Sequence, residues 1–174
     1  MATVTVLKFA EPDGAQHALM QIQGLQKDHL IKVHDAAIVS WPRGKKSPKT
    51  RQLVDLVTIG AMGGMFWGML LGVIFLAPLF GMALGAALGA LGGTFRDYGI
   101  DDDFIERVRS AVTEGTSALF LMTSDAVLDR VSERMKNVPF EIIATNLSTE
   151  QEQKLRELFA DALPSAVKAR ADAP

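Results

Sequence analysis

The chain has 174 residues, of which 18 are Lys or Arg and 20 are Asp or Glu, giving a net charge of −2. Because it has no Cys, disulfides, thiolate metal sites and Cys nucleophiles are excluded. The nearly balanced charge also excludes an electrostatic nucleic-acid footprint over the whole chain, so we expect no nucleic-acid partner.

The first 41 residues are predicted to form a strand, a helix and a second strand. Residues 3–9 read TVTVLKF and alternate as in a strand with one buried face. Apolar residues then recur at helical spacing, at Ala15, Leu19, Ile22 and Leu25. A second apolar run, from Leu30 to Trp41, predicts the second strand. The N-terminus lacks the basic segment and long apolar run of a secretory signal, so none is expected.

A basic cluster follows the second predicted strand. Its members are Arg43, Lys45, Lys46, Lys49 and Arg51. The cluster ends a few residues before a long apolar segment, and basic residues in that position favour the cytoplasmic side of a membrane and attract anionic head groups. The alternative is a solvated loop bounded by Pro42 and Pro48.

The apolar segment is a run of 40 residues, from Leu56 to Phe95, without a charged side chain. Its glycines recur at intervals of four in two groups: Gly60, Gly64, Gly68 and Gly72, then Gly81, Gly85, Gly89 and Gly93. Glycine costs about 1 kcal/mol relative to alanine in a water-exposed helix, whereas in lipid a glycine ridge lets two helices pack closely. The pattern predicts a glycine-zipper helical hairpin with Pro78 in its turn.

The length of the two arms favours a hairpin inserted in a membrane. As helices, residues 56–77 and 79–95 would extend about 33 Å and about 25 Å, against about 30 Å for the hydrocarbon core. The turn at Pro78 has no polar residue with which to emerge into water, so the depth of the tip stays open. The alternative is a hairpin buried at the centre of a soluble oligomer.

Beyond the apolar segment, three helices and two strands are predicted. Asp101–Asp103 favour a helix start because acidic residues complement the helix dipole. Residues 116–122 form the third predicted strand, after which Ser124 is expected to cap a helix. Residues 140–145 form the fourth strand, and residues 148–151 read as a capping box that opens the last helix.

Without the apolar segment and its neighbouring helix, the predicted elements follow a βαββαβ order. This order is typical of a ferredoxin-like α+β sandwich, here interrupted by the glycine-zipper hairpin. The predicted boundaries are 1–52 for the first half with its basic loop, 53–95 for the hairpin, 96–164 for the second half and 165–174 for a flexible tail. Each half is too small to bury a core alone, so one shared sheet is expected.

Five segments, from the glycine-rich region to the last predicted helix, carry a family resemblance. In chain order they read GAMGGMFWGMLLG, APLFGMALGAALGALGG, DYGIDDDFI, EGTSALFLM and LSTEQEQKLRE. They resemble a bacterial family of predicted membrane proteins classed only as a domain of unknown function. The resemblance implies location in the bacterial inner membrane, with the soluble domain facing the cytoplasm. It implies no catalytic residue, cofactor or activity.

Few residues suggest catalysis or metal binding. Helix capping explains the acidic run Asp101–Asp103 near Asp97, with a divalent cation site as the alternative. His17, His29 and His34 have no ligand spacing and are expected at the surface. The glycine-rich start of the first arm lacks the Lys and Ser or Thr of a phosphate loop. We therefore expect no catalytic residue, no metal and no cofactor.

The sequence favours a membrane-associated, self-assembling structural or scaffolding protein and not an enzyme. In this hypothesis the glycine-zipper hairpin drives insertion and homo-oligomerisation, and the lipid bilayer is a partner. Two alternatives stay open. One is a membrane-anchored regulatory module that binds a small ligand, which rests on analogy with the fold alone, and the other is an oligomeric pore.

Overall fold

Five strands and five helices occur in residues 2–52, 62–76 and 95–160, the parts of the chain that the computed structural model describes. The strands are β1 (Thr3–Phe9), β2 (Lys32–Ser40), β3 (Lys49–Gln52), β4 (Ser117–Ser124) and β5 (Glu141–Thr145). The helices are α1 (Gly14–Lys27), α2 (Met62–Leu71), α3 (Asp102–Ala111), α4 (Leu128–Met135) and α5 (Thr149–Leu158). A π-helical segment, Gly72–Leu76, continues α2.

All the strands form one antiparallel sheet in the order β3-β2-β4-β1-β5. The α+β fold class and the single sheet shared by both ends of the chain are therefore confirmed. The pairing of β1 with β5 contains an irregularity, since Val6 pairs with Ala144 but Leu7 pairs with Ile142. The extra residue, Ile143, is buried with Ala144 on one face of the sheet.

Helices cover both faces of the sheet, which gives three layers. The first face packs against α1, α4 and α5, and the second packs against α2, the π-helical segment and α3. Side chains alternate between the faces along each strand. In β1, for example, Leu7 and Phe9 belong to the first core, whereas Val4 and Val6 belong to the second.

The first arm of the predicted hairpin packs on this sheet. Trp67, Leu70 and Ile74 are fully buried in the second core. The Trp67 ring lies edge-on to the ring of Phe120 on β4, with 5.7 Å between the ring centroids. These bulky residues of the first arm thus pack against β4 and its neighbours.

In the described parts of the chain, no helix has both the length and the apolar character needed to cross a membrane. Helix α2 and the π-helical segment together have 15 residues, or about 22 Å against the 30 Å or so of a bilayer core. The predictions of a transmembrane helix and of location in the bacterial inner membrane are therefore wrong. The physical reason is that the apolar face of this arm is already covered by the sheet.

Arg109 holds the end of the arm against α3. Its Nε and Nη2 donate hydrogen bonds to the carbonyl oxygens of Ile74 and Val73, each at 3.0 Å. The guanidinium of Arg109 therefore joins the π-helical segment to α3.

Several local predictions are confirmed and two are corrected. Asp101 caps α3 by accepting a hydrogen bond from the N–H of Phe104 at 2.8 Å, and Ser148 forms the predicted capping box at α5. Ser124 does not cap a helix, because it ends β4 and α4 begins only at Leu128. Strand β3 was not predicted, and it lies at the edge of the sheet beside β2.

Candidate ligand-binding site

A cavity of about 340 Å³ lies between the first face of the sheet and helices α1, α4 and α5. Most of its lining is apolar, with Leu7, Leu121, Val131, Phe140, Ile142 and Leu155 among the contributing side chains. Its volume is near the lower end of the range of about 300–1,000 Å³ that is usual for ligand pockets. The site is therefore sized for a small molecule.

Threonine hydroxyls interrupt the apolar lining where the sheet forms the floor of the cavity. Thr3 on β1 pairs directly with Thr123 on β4, and Thr5 follows on the same face of β1. Thr5 and Thr123 are each only 9% exposed. Among the described residues, no group forms a hydrogen bond with either hydroxyl. Neither oxygen is among the fully buried polar atoms that lack a partner, so both hydroxyls open into the cavity, where they are free to bond a ligand or water.

A polar cluster lies at the end of β4, where the chain turns into α4. Ser124 Oγ donates to Asp125 Oδ2 at 2.9 Å and lies 2.8 Å from Nε2 of His34 on β2. Asp125 adopts a left-handed backbone conformation with φ of 53°, which is uncommon outside glycine. Ser124 and Asp125 both line the cavity.

The hydrogen bonds of this cluster do not match a catalytic triad. In a triad, histidine takes the proton of serine and the carboxylate orients the histidine. Here the proton of Ser124 is donated to Asp125, so His34 Nε2 is left to donate to Ser124. The sequence placed His34 at the surface without a partner, and the fold brings it to β4. The expectation that the protein is not an enzyme stays a prediction.

Helix α5 contributes Gln151 and Lys154 to the lining, and both are exposed. The Gln151 side chain is engaged in the capping box, where its Oε1 accepts from the N–H of Ser148 at 3.3 Å. Lys154 forms no hydrogen bond or ion pair with any other described residue. It is therefore an uncommitted cation beside an apolar cavity.

The predicted basic cluster lies at the opposite edge of the sheet. Arg43, Lys45 and Lys46 are in the turn between β2 and β3, and Lys49 and Arg51 are on β3. All five are exposed, and none of them lines the described cavity. Arg51 Nη2 donates to Gln16 Oε1 on α1. The role of the cluster at a lipid surface stays a prediction.

The acidic run Asp101–Asp103 lies at the start of α3, whereas the described glycines of the first predicted arm lie in α2 and the π-helical segment. Asp103 pairs with Arg107 at 3.1 Å on the surface of α3, and no three metal-binding side chains converge within residues 2–52, 62–76 and 95–160. Gly64, Gly68 and Gly72 lie in α2 and the π-helical segment. The remaining predicted hairpin positions fall outside the described residues: Gly60, Pro78, Gly81, Gly85, Gly89 and Gly93.

Comparison with known proteins gives one match. A sequence profile described as "Protein of unknown function (DUF1269)" matches residues 61–160. This range begins at α2 and extends just past α5, so it includes β4, β5 and most of the cavity lining. No curated protein and no solved structure matches the chain.

Proposed function

The chain belongs to the DUF1269 family of proteins of unknown function, and we propose that this protein is a binding domain for a small, largely apolar molecule. The family offers no activity to transfer, so the proposal rests on the cavity. From the sequence, a membrane-anchored ligand-binding module is one of the alternatives and rests on fold analogy alone; the present proposal does not include the anchor. It now has a specific observation in its support. That observation is the pair of hydroxyls of Thr5 and Thr123, which open into an apolar cavity and which no described residue bonds.

The physical argument concerns what the cavity offers a ligand. Its apolar walls favour transfer of a hydrophobic body from water, at about 25 cal/mol for each Å² buried. Its floor carries a few threonine hydroxyls, and a small number of placed polar groups is how pockets fix the orientation of a ligand. A void of this size without an occupant would instead lower the stability of the first core.

Filling the cavity tests the proposal directly. Ala126 lines the cavity near the start of α4 and is half-buried, so Ala126→Phe places a ring in the space that a ligand would take. We expect the full chain to bind the neutral fluorophore N-phenylnaphthylamine saturably, and Ala126→Phe to weaken that binding about tenfold or more. Fluorescence titration measures both affinities.

A matched substitution controls for added surface hydrophobicity. Ala10 is exposed just after β1 and does not line the cavity, so Ala10→Phe should leave the affinity for the fluorophore unchanged. Absence of saturable binding to the wild-type chain would contradict the proposal. Equal affinities of the wild-type and Ala126→Phe proteins would contradict it as well.

We also propose that the fold is ferredoxin-like with one added strand. With the edge strand β3 set aside, the order is β2-β4-β1-β5. Helices α1 and α4 each follow one strand and precede a parallel one two positions away, as in the split βαβ pattern. This arrangement supports the finer assignment. The glycine-zipper hairpin within it remains a hypothesis, since its second arm lies outside the described residues.

Self-assembly through the glycine ridge is a second candidate function, and one observation favours it. Among the described residues, a Cβ added at Gly68 or Gly72 would meet no atom within 4 Å, and Gly68 is exposed. The space beside both glycines is therefore open within the described part of the chain. Such a surface allows another helix to approach closely. The candidate is a homo-oligomer and does not require a membrane.

Leucine at both glycines tests self-assembly. The double variant Gly68→Leu/Gly72→Leu meets open space among the described residues, and leucine favours a helix over glycine by about 1 kcal/mol per position. If the ridge joins copies, we expect a smaller assembly by light scattering with no loss of helix content by circular dichroism.

Gly24 in α1 provides the control, because within the described part of the chain a Cβ added there also meets nothing within 4 Å. Gly24→Leu should therefore leave the assembly unchanged. A wild-type monomer, or an assembly whose mass is the same in the double variant, would remove self-assembly as a candidate.

A further inference from the structure

The deep part of the cavity accepts only an uncharged group. The polar side chains on its floor are the hydroxyls of Thr3, Thr5 and Thr123, and each can donate and accept a hydrogen bond. Among the described lining residues, only Asp125 and Lys154 ionise at neutral pH, and both are exposed. Burying an unpaired charge is costly. The charged end of a ligand therefore has to stay at the surface.

The charges around the rim favour an anion on the α5 side. Lys154 is without a partner among the described residues, whereas Asp125 already accepts a hydrogen bond from Ser124. Gln151 also lines the cavity, but its side chain is engaged in the capping box, and the first turn of α5 carries Glu150 and Glu152. The preference for an anion therefore rests on Lys154.

From these two features we infer that the ligand is an amphipathic carboxylic acid with a hydroxyl or carbonyl group at the far end of its apolar body. The inference rests on the proposed binding function. The carboxylate pairs with Lys154 at the rim, and the neutral group bonds Thr5 and Thr123 on the floor. The apolar body lies between them, against side chains such as Val131, Ile142 and Leu155.

Three probes of equal chain length separate the contributions. They are decanoate, ω-hydroxydecanoate and decylamine, each titrated into the full-length protein in competition with N-phenylnaphthylamine. We expect ω-hydroxydecanoate to bind about three- to tenfold more tightly than decanoate, the usual net effect of one or two hydrogen bonds. Decylamine should bind more weakly than either acid.

Variants assign each effect to its residue. Thr5→Val/Thr123→Val should remove the preference for the hydroxylated acid and leave the affinity for decanoate unchanged. Lys154→Gln should weaken both acids by up to about fivefold, the size of an exposed ion pair, without weakening decylamine. The controls are Thr50→Val and Lys49→Gln on β3, both exposed and away from the cavity.

The outcomes distinguish this inference from the proposed function. Two results would overturn the ligand class and leave the binding function standing, provided that the neutral fluorophore binds saturably. One is tighter binding of decylamine than of the acids. The other is a threonine variant that still prefers ω-hydroxydecanoate to decanoate. If neither the fluorophore nor any acid binds the wild-type chain, both are overturned. The inference is supported if only the threonine variant loses the preference for ω-hydroxydecanoate over decanoate, and if only Lys154→Gln binds both acids more weakly.

Discussion

Replacing Trp67 with alanine is expected to lower the free energy of unfolding by about 3–5 kcal/mol, the usual cost of truncating a large buried aromatic residue. Trp67 is fully buried between α2 and the sheet, edge-on to Phe120. The loss combines lost apolar burial with the cavity left in the second core. Chemical denaturation of the full chain, followed by circular dichroism, measures it.

Two further substitutions determine how Trp67 contributes. Its Nε1–H has no acceptor among the described residues, so Trp67→Phe loses no hydrogen bond and should cost only about 1–2 kcal/mol. Met20 is 53% exposed on α1, and Met20→Ala should change the stability by less than about 0.5 kcal/mol. If Trp67→Ala costs no more than Met20→Ala, the first arm does not pack on the sheet.

Ser117→Ala is expected to cost about 1–3 kcal/mol, although it removes a single oxygen atom. Ser117 is fully buried at the start of β4. Its Oγ donates to the carbonyl of Glu11 at 2.6 Å and accepts from the N–H of Ala15 at 3.0 Å. Alanine would leave both backbone groups without this partner, at the point where the β1–α1 turn meets the sheet.

Ser110→Ala is the matched control for Ser117→Ala. The Ser110 hydroxyl is exposed and bonds the carbonyl of Glu106 within its own helix, at 2.8 Å. Water replaces such a bond readily, so the expected change is less than about 0.5 kcal/mol. Equal denaturation midpoints for the two variants would mean that the Ser117 hydroxyl does not join the turn to β4.

Much of the fold could be predicted because its signals are local. Alternation along residues 3–9 indicates β1 whatever lies against it, and a cap such as Asp101 or Ser148 acts within three residues of itself. The sheet partners of these elements follow from the βαββαβ order. Strand β3 gave no such signal, because its residues KTRQ are polar and it pairs on one side only, at the edge of the sheet.

The apolar segment illustrates where a local pattern stops being informative. A lack of charge indicates that a helix is surrounded by apolar groups, but it does not say whether these belong to lipid or to protein. Trp67, Leu70 and Ile74 would suit either environment. The second face of the sheet decides between them, and that face is built by strands from both ends of the chain, including β1 and β4.

The candidate site was hidden for a related reason. In the alternation Thr3-Val4-Thr5-Val6, a strand with a single buried face would turn valine to the core and threonine to water. Because helices cover both faces, Thr5 instead turns toward the cavity. A threonine at a polar position of a predicted strand therefore carries no signal for binding until the second layer of helices is known.

The position of β4 between β1 and β2 also bears on how the protein folds. Residues of β1 pair with partners more than 100 positions away, such as Phe9 with Ser117. Closing so long a loop costs entropy before any contact forms, and folding slows as contacting residues become more distant in sequence. During synthesis, β1 and β2 have no strand to join them until β4 leaves the ribosome. The first half of the chain therefore emerges with unpaired strand edges, which are open to chaperones and to aggregation until the second half arrives.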